Sequence, residues 1–318
     1  MDNRGQGRPQ AQFRLDWVDV ARGIGIVAVV AGHVWTHGPV RDAIYSFHMP
    51  LFFLLSGMLS RPHPVGAFTR RQLLGQMRPY AVYLILLVCV DQIVERIKGQ
   101  RPVFDQWPED ILPILLGGSW LRGPYTIFWF VPCLMIARIL FNLVSARLPD
   151  PLDREWTLPL IAMAIASCVS GWASASPLGL ITVPMAFILL WIGAVWPRIR
   201  WRNWMVLPLL ALALCGLGGL FPTLNMKAAD YGWPLLSIGA AVATSFLTFR
   251  LSALIAPGAG LLAALGRASM VIMYCHVAVI HYLTPYLSKY ALFAVALVVP
   301  WGLWKAISCS PKASRWLL

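Results

Sequence analysis

The stretch Leu15–Trp35, LDWVDVARGIGIVAVVAGHVW, decides the fold of this chain. It is apolar and long enough to cross a hydrocarbon core, which takes about 20 helical residues. Yet it carries Asp16, Asp19, Arg22 and His33. An arginine at the bilayer centre costs roughly 2.5–3.5 kcal/mol on insertion scales, so a chain keeps one there for a reason. Arg22 and His33 are eleven positions apart. At about 100° per residue that is three turns plus about 20°, so both side chains share one helix face, separated by roughly 16 Å along the axis. One face thus presents a cation at one depth and a titratable imidazole at another, which is the pattern of a site. Asp19 stands three residues before Arg22, the spacing of a local ion pair that lowers the insertion cost of both groups.

The surrounding composition agrees. The 318 residues are 58% hydrophobic and 12% charged, with a mean hydropathy of +0.67. Soluble domains carry about 25% charged residues, so the chain reads as an all-α, polytopic membrane protein. Apolar spans centre near residues 26, 52, 87, 135, 165, 188, 211, 241, 273 and 298, which predicts about ten transmembrane helices. Ile111–Gly118 reads as a short re-entrant or interfacial piece, and the segment Leu251–Leu265 as breaking before the span that holds His276. Residues 1–14 form a polar tail and 15–318 one membrane domain.

The net charge of +13 does not point to nucleic acid, because the basic residues fall between apolar spans and form no patch. Lys and Arg are more frequent in the loops on the N-terminal side, among them Arg61, Arg70, Arg71, Arg78, Arg198, Arg200 and Arg202. By the positive-inside rule both termini are expected in the cytoplasm of a plasma-membrane protein. The six cysteines form no CxxC pair, so neither a zinc site nor a disulfide framework is indicated.

Other residues could carry chemistry. His48 opens the second span, YSFHMPLFFLLSGML (Tyr45–Leu59), at a depth similar to His33. Ser56-Gly57 lies one to two turns beyond Met49-Pro50, where a small pair permits close helix contact. His276 sits in the outer half of the ninth span. Arg70, Arg71 and Arg78 cluster at the cytoplasmic entrance of the third span, either as topogenic charge or as a grip for the phosphates of a nucleotide-like donor. No P-loop, nucleophile-elbow or HExxH pattern accompanies them.

LDWVDVARGIGIVAVVAGH followed by FHMPLFFLLSG resembles the membrane-bound acyltransferase-3 family, in particular its fucose O-acetylase-like branch. Arg22 and His33 match that family's Arg/Lys-X10-His motif. The RR…RPY segment (Arg70, Arg71, Arg78, Pro79, Tyr80), FWFVP (Phe128–Pro132) and LGRASMVIMYCH (Leu265–His276) extend the likeness, while an RxxR pattern that many members carry at the third helix is absent.

The resemblance implies an integral membrane O-acyltransferase that moves an acyl group, commonly acetyl from acetyl-CoA, onto a hydroxyl of a sugar, glycan, lipid-linked or small-molecule acceptor, without a metal. It implies a catalytic role for His33, as general base or as an acyl carrier, with Arg22 orienting the site or holding donor phosphate. Arg70, Arg71 and Arg78 would receive the nucleotide of the donor; His48, His276, Ser56 and Trp129 are candidates for the acceptor side. The competing reading of charges inside a bundle is a transporter or flippase of a polar or anionic substrate, which should show repeated halves; no such repeat is visible.

Overall fold

The structure, a computed structural model, describes residues 9–318, with side chains from Asp16 onward. Residues 1–8 of the expected tail, and with them the side on which the N-terminus lies, are outside the described residues; the rest of that tail is already helical. The helices are α1 (Pro9–Val34), α2 (Pro39–Tyr45), α3 (His48–Met58), α4 (Val65–Gln72), α5 (Arg78–Ile97), α6 (Ile111–Leu116), α7 (Phe130–Ser145) and α8 (Thr157–Ser170). They are followed by α9 (Val183–Val195), α10 (Val206–Leu217), α11 (Pro234–Ile255), α12 (Gly260–Arg267), α13 (Ser269–Leu283), α14 (Lys289–Ser308) and α15 (Pro311–Leu317). Among the described residues the only β-pairing is an isolated bridge between Asn225 and Asp230.

Each of the ten apolar centres falls within a helix, but not every helix is a full crossing. Among the described residues six segments are long and apolar enough to span, and a seventh is added if α12 and α13 form one broken span. Helices α3, α8 and α10 have 11, 14 and 12 residues. At 1.5 Å per residue they are roughly 16–21 Å long, short of a hydrocarbon core of about 30 Å. Of the three only α3 is largely buried in protein, whereas α8 and α10 leave Leu158, Ile161, Ile165, Leu207 and Leu214 exposed, so apolar character fixes neither how long a helix runs nor what covers it. The expected break before the His276 span is present: α12 and α13 meet at a bend of 79°. Ile111–Gly118 begins as the six-residue α6, too short to cross.

Helix α1 packs against α3, α11, α12, α13 and α14, and Arg22 on its polar face keeps 43% of its side chain exposed. Two crossings bring backbones almost into contact. In α1 against α12, a Cβ on Gly266 would lie 1.8 Å from the Asp19 carbonyl oxygen and one on Gly23 2.1 Å from that of Leu262. In α3 against α9, a Cβ on Gly57 would lie 2.0 Å from the Leu190 carbonyl oxygen and one on Gly193 2.1 Å from that of Leu54. Reciprocal glycines of this kind let membrane helices approach closely, where van der Waals contact replaces the missing hydrophobic drive. Ser56-Gly57 therefore divides its work, with Gly57 making the crossing and Ser56 turned to the cavity described next.

Candidate functional site

A cavity of about 570 Å³ runs beside α1, and Arg22, Ile26, Val29 and His33 all line it. The helical spacing of Arg22 and His33 is thus realised along one wall, and Ser56, His48 and Trp129 line the same space. Its volume is in the range of small-molecule sites, and its walls are largely apolar with a few convergent polar groups.

One end is cationic. Arg22 Nη1 lies 3.5 Å from Asp19 Oδ1, the pair expected from their spacing, and Arg267 Nη1 approaches the other Asp19 oxygen at 3.8 Å. Arg138 of α7 also lines the cavity, and its Nε is buried without a hydrogen-bond partner among the described residues. Three guanidiniums therefore line this end and no acidic side chain does among the described residues, which leaves an excess of positive charge where an anion would be held well. Ser269, Met270 and Val271, the first turn of α13, line the same cavity, so the positive end of that helix adds to the field. A five-residue π turn, Leu73–Met77, interrupts the run from α4 to α5 and contains Gln76, another lining residue. Such π insertions are frequent at functional sites.

The other end holds His33, His48 and Lys227. His48 Nδ1 donates to the Ile44 carbonyl at 2.9 Å, and its ring lies 4.8 Å from that of Tyr45. Lys227, from the loop between α10 and α11, donates to the Leu121 and Thr126 carbonyls at 3.2 and 3.3 Å and to the Thr126 hydroxyl at 2.8 Å. No carboxylate pairs with it among the described residues. Burial pulls its pKa below the ordinary lysine value, because the charged form loses hydration that neutral oxygens replace only in part.

Several expected residues stand elsewhere. His276 is fully buried and lies behind His33, ring centroids 5.1 Å apart, without lining the cavity. Arg78 donates to the Arg315 carbonyl at 3.3 Å and lies 4.9 Å over the Trp316 ring, so it braces α15. Arg70 is exposed and away from the cavity. Arg71 lines a smaller recess of about 50 Å³ with Arg61 and His63, which shares Leu59 and Arg138 with the main cavity.

The sequence reading did not assign Arg138, Arg267 or Lys227 to the site. Arg138 carried the signal that singled out Arg22, a lone arginine inside an apolar span. Lys227 looked like an ordinary loop cation, and only the fold brings it to His33's end of the cavity.

Asp91, Glu95 and His281 bring ligand atoms within 4.8 Å of one another. The Asp91 oxygens already accept from the Val103 N–H and the Tyr282 hydroxyl, each at 2.8 Å, and the Lys98 ammonium lies 3.5 Å from Glu95. That cluster supplies its own donors and counter-charge, and it ties α5 to α13 and to the loop after α5.

Comparison with known proteins adds one match. The acyltransferase-3 family model, described as an acyltransferase domain, matches residues 15–309. No curated protein and no solved structure matches.

Proposed function

Since the chain belongs to the membrane acyltransferase-3 family, we propose that it is an integral membrane O-acyltransferase, transferring acetyl from cytosolic acetyl-CoA to a hydroxyl of a sugar, glycan, lipid-linked or small-molecule acceptor. The observation that carries this reading is the one cavity that has a three-arginine end and a histidine end. A coenzyme A thioester is an anion with a reactive carbonyl at the far end of a flexible arm. Arg22, Arg138 and Arg267 suit its phosphates, and the adjoining recess that holds Arg71, at about 50 Å³, has room for a phosphate but not for the whole nucleotide. The apolar walls between the two ends suit the arm.

In this reaction His33 acts as general base. It takes the proton of the acceptor hydroxyl as that oxygen attacks the thioester carbonyl. The C–O bond forms, the C–S bond breaks, and the proton passes from His33 to the departing thiolate. Lys227 and His48 lie toward the same end as His33 and are placed to stabilise negative charge on the carbonyl oxygen or to orient the acceptor. Ser56 and Trp129 line the path. The orientation that follows puts the arginine end toward the cytoplasm of a plasma-membrane protein with cytoplasmic termini.

The test uses membranes containing the parent or the His33→Ala protein at equal expression, supplied with acetyl-labelled acetyl-CoA and native cell-envelope extract. Base-labile label in the extract is expected with the parent and is expected to be lost with His33→Ala. Equal transfer by both would remove His33 from the chemistry. Absence of transfer by the parent, together with uptake of an anionic solute into vesicles, would favour transport through the same cavity.

A further inference from the structure

His276 is 0% exposed and belongs to α13, which packs against α1. Its Nδ1 lies 2.8 Å from the Ile272 carbonyl oxygen and 2.9 Å from that of Met273. Carbonyl oxygens can only accept, so Nδ1 carries the proton and Nε2 of the neutral ring is left with a lone pair. That Nε2 is buried and has no hydrogen-bond partner among the described residues. A buried acceptor left unpaired costs about 1–3 kcal/mol, a cost a protein bears where the atom has a use.

The neighbour that gives it one is His33. The two rings stand 5.1 Å apart between centroids and are tilted by 59°. An N–H···N bond of about 2.9 Å between two imidazoles, whose nitrogens lie about 1.1 Å from the ring centres, sets the centroids roughly 5 Å apart. The separation is thus already that of a hydrogen-bonded pair, and a turn of the His33 ring about its last torsion supplies the alignment. His33 itself has no hydrogen-bond partner among the described residues, so nothing else holds it in one tautomer.

We propose that His276 is a positioning residue: its Nε2 accepts a hydrogen bond from one ring nitrogen of His33, so that the other nitrogen presents its lone pair to the cavity. A general base must offer a lone pair, and in a neutral imidazole the hydrogen bond made by one nitrogen decides which of the two has it. Where a catalytic imidazole is held in the wrong tautomer, the loss reaches about 10⁴-fold in serine proteases, whose holder is a carboxylate. A neutral imidazole holds less strongly, and the expected loss here is about 10- to 100-fold. The catalytic part of this inference rests on His33 being the base; the pairing of the two rings does not.

Two substitutions separate positioning from simple packing. In His276→Asn the amide reaches the place of Nδ1 and can still donate to the Ile272 and Met273 carbonyls, but nothing replaces Nε2. In His276→Gln the amide oxygen reaches the place of Nε2. Both proteins are compared at equal detergent-solubilised yield and melting temperature, with acetyl-CoA and envelope extract as substrates. The Asn protein is expected to lose about 10- to 100-fold in maximal transfer rate with the KM for acetyl-CoA unchanged, and the Gln protein to stay within about fivefold of the parent. The opposite order, Asn active and Gln inactive, would assign His276 to capping its own helix carbonyls, and equal loss in both would assign it to packing; each result overturns the proposal. Nitrogen-15 NMR of histidine-labelled protein is the second readout. It should show one tautomer for His33 in the parent and a mixture in His276→Asn. A mixture in the parent overturns the pairing outright. If His33→Ala retains activity, the base assignment fails while the tautomer measurement still decides the pairing.

Discussion

Replacing Gly266, a glycine of the cavity wall, by alanine should damage the site without removing any of the side chains assigned to its chemistry. The added Cβ would lie 1.8 Å from the Asp19 carbonyl oxygen, against backbone that cannot swing aside, whereas ordinary contact begins near 3.4 Å. The α1 and α12 backbones must therefore part by about 1.6 Å at this crossing, and close-packed interiors absorb such shifts poorly. Asp19 is the residue that both Arg22 and Arg267 approach, at 3.5 and 3.8 Å, so the displacement breaks the arrangement that holds two of the three guanidiniums. Overpacking of this kind costs about 1–3 kcal/mol, and a misplacement near 1 Å can cost about 10²-fold in rate.

The assay pairs thermal melting of detergent-solubilised protein with acetyl transfer from labelled acetyl-CoA. Gly266→Ala is expected to melt several degrees below the parent and to lose about 10²-fold in transfer. Gly302→Ala is the control: it lies within α14, a Cβ there meets nothing within 4 Å, and alanine is the better helix former by about 1 kcal/mol. It should melt at or above the parent. A Gly266→Ala protein indistinguishable from Gly302→Ala in both measurements would refute the close crossing and the dependence of the arginine cluster on it.

Two further predictions separate the arginines and test how the loop after α5 is fastened. Arg138→Met should raise the KM for acetyl-CoA at least about tenfold with a smaller effect on the maximal rate, as removal of a ground-state phosphate contact does, whereas Arg78→Met, whose partners are Arg315 and Trp316, should change KM by less than about threefold; equal effects would put the donor nearer α5. Asp91→Asn should cost about 1–3 kcal/mol, because an amide offers one acceptor oxygen where the Val103 N–H and the Tyr282 hydroxyl need two. Lower melting and faster amide exchange over residues 100–127 would show it, and unchanged exchange there would argue that Asp91 does not fasten this loop.

Local pattern decided much of this protein. Hydropathy is read residue by residue, so the all-helical membrane class and the positions of ten apolar helices followed from the sequence, as did the break before the His276 span. Helical period is equally local, which is why Arg22 and His33 could be placed on one face and do line one cavity. Crossing number was less legible, because hydropathy marks an apolar segment without fixing how many residues its helix runs.

What only the tertiary structure decided is which distant side chains meet. Arg138 arrives from α7, Arg267 from the end of α12 at a 79° bend, and Lys227 from the loop between α10 and α11. The same packing turns Arg78 toward α15 and places His276 behind His33. These placements depend on how closely glycines let α1 approach α12 and α3 approach α9, and on the direction of each helix axis. No spacing along the chain records them, since periodicity states which face of a helix a residue occupies but not which other helix that face will meet.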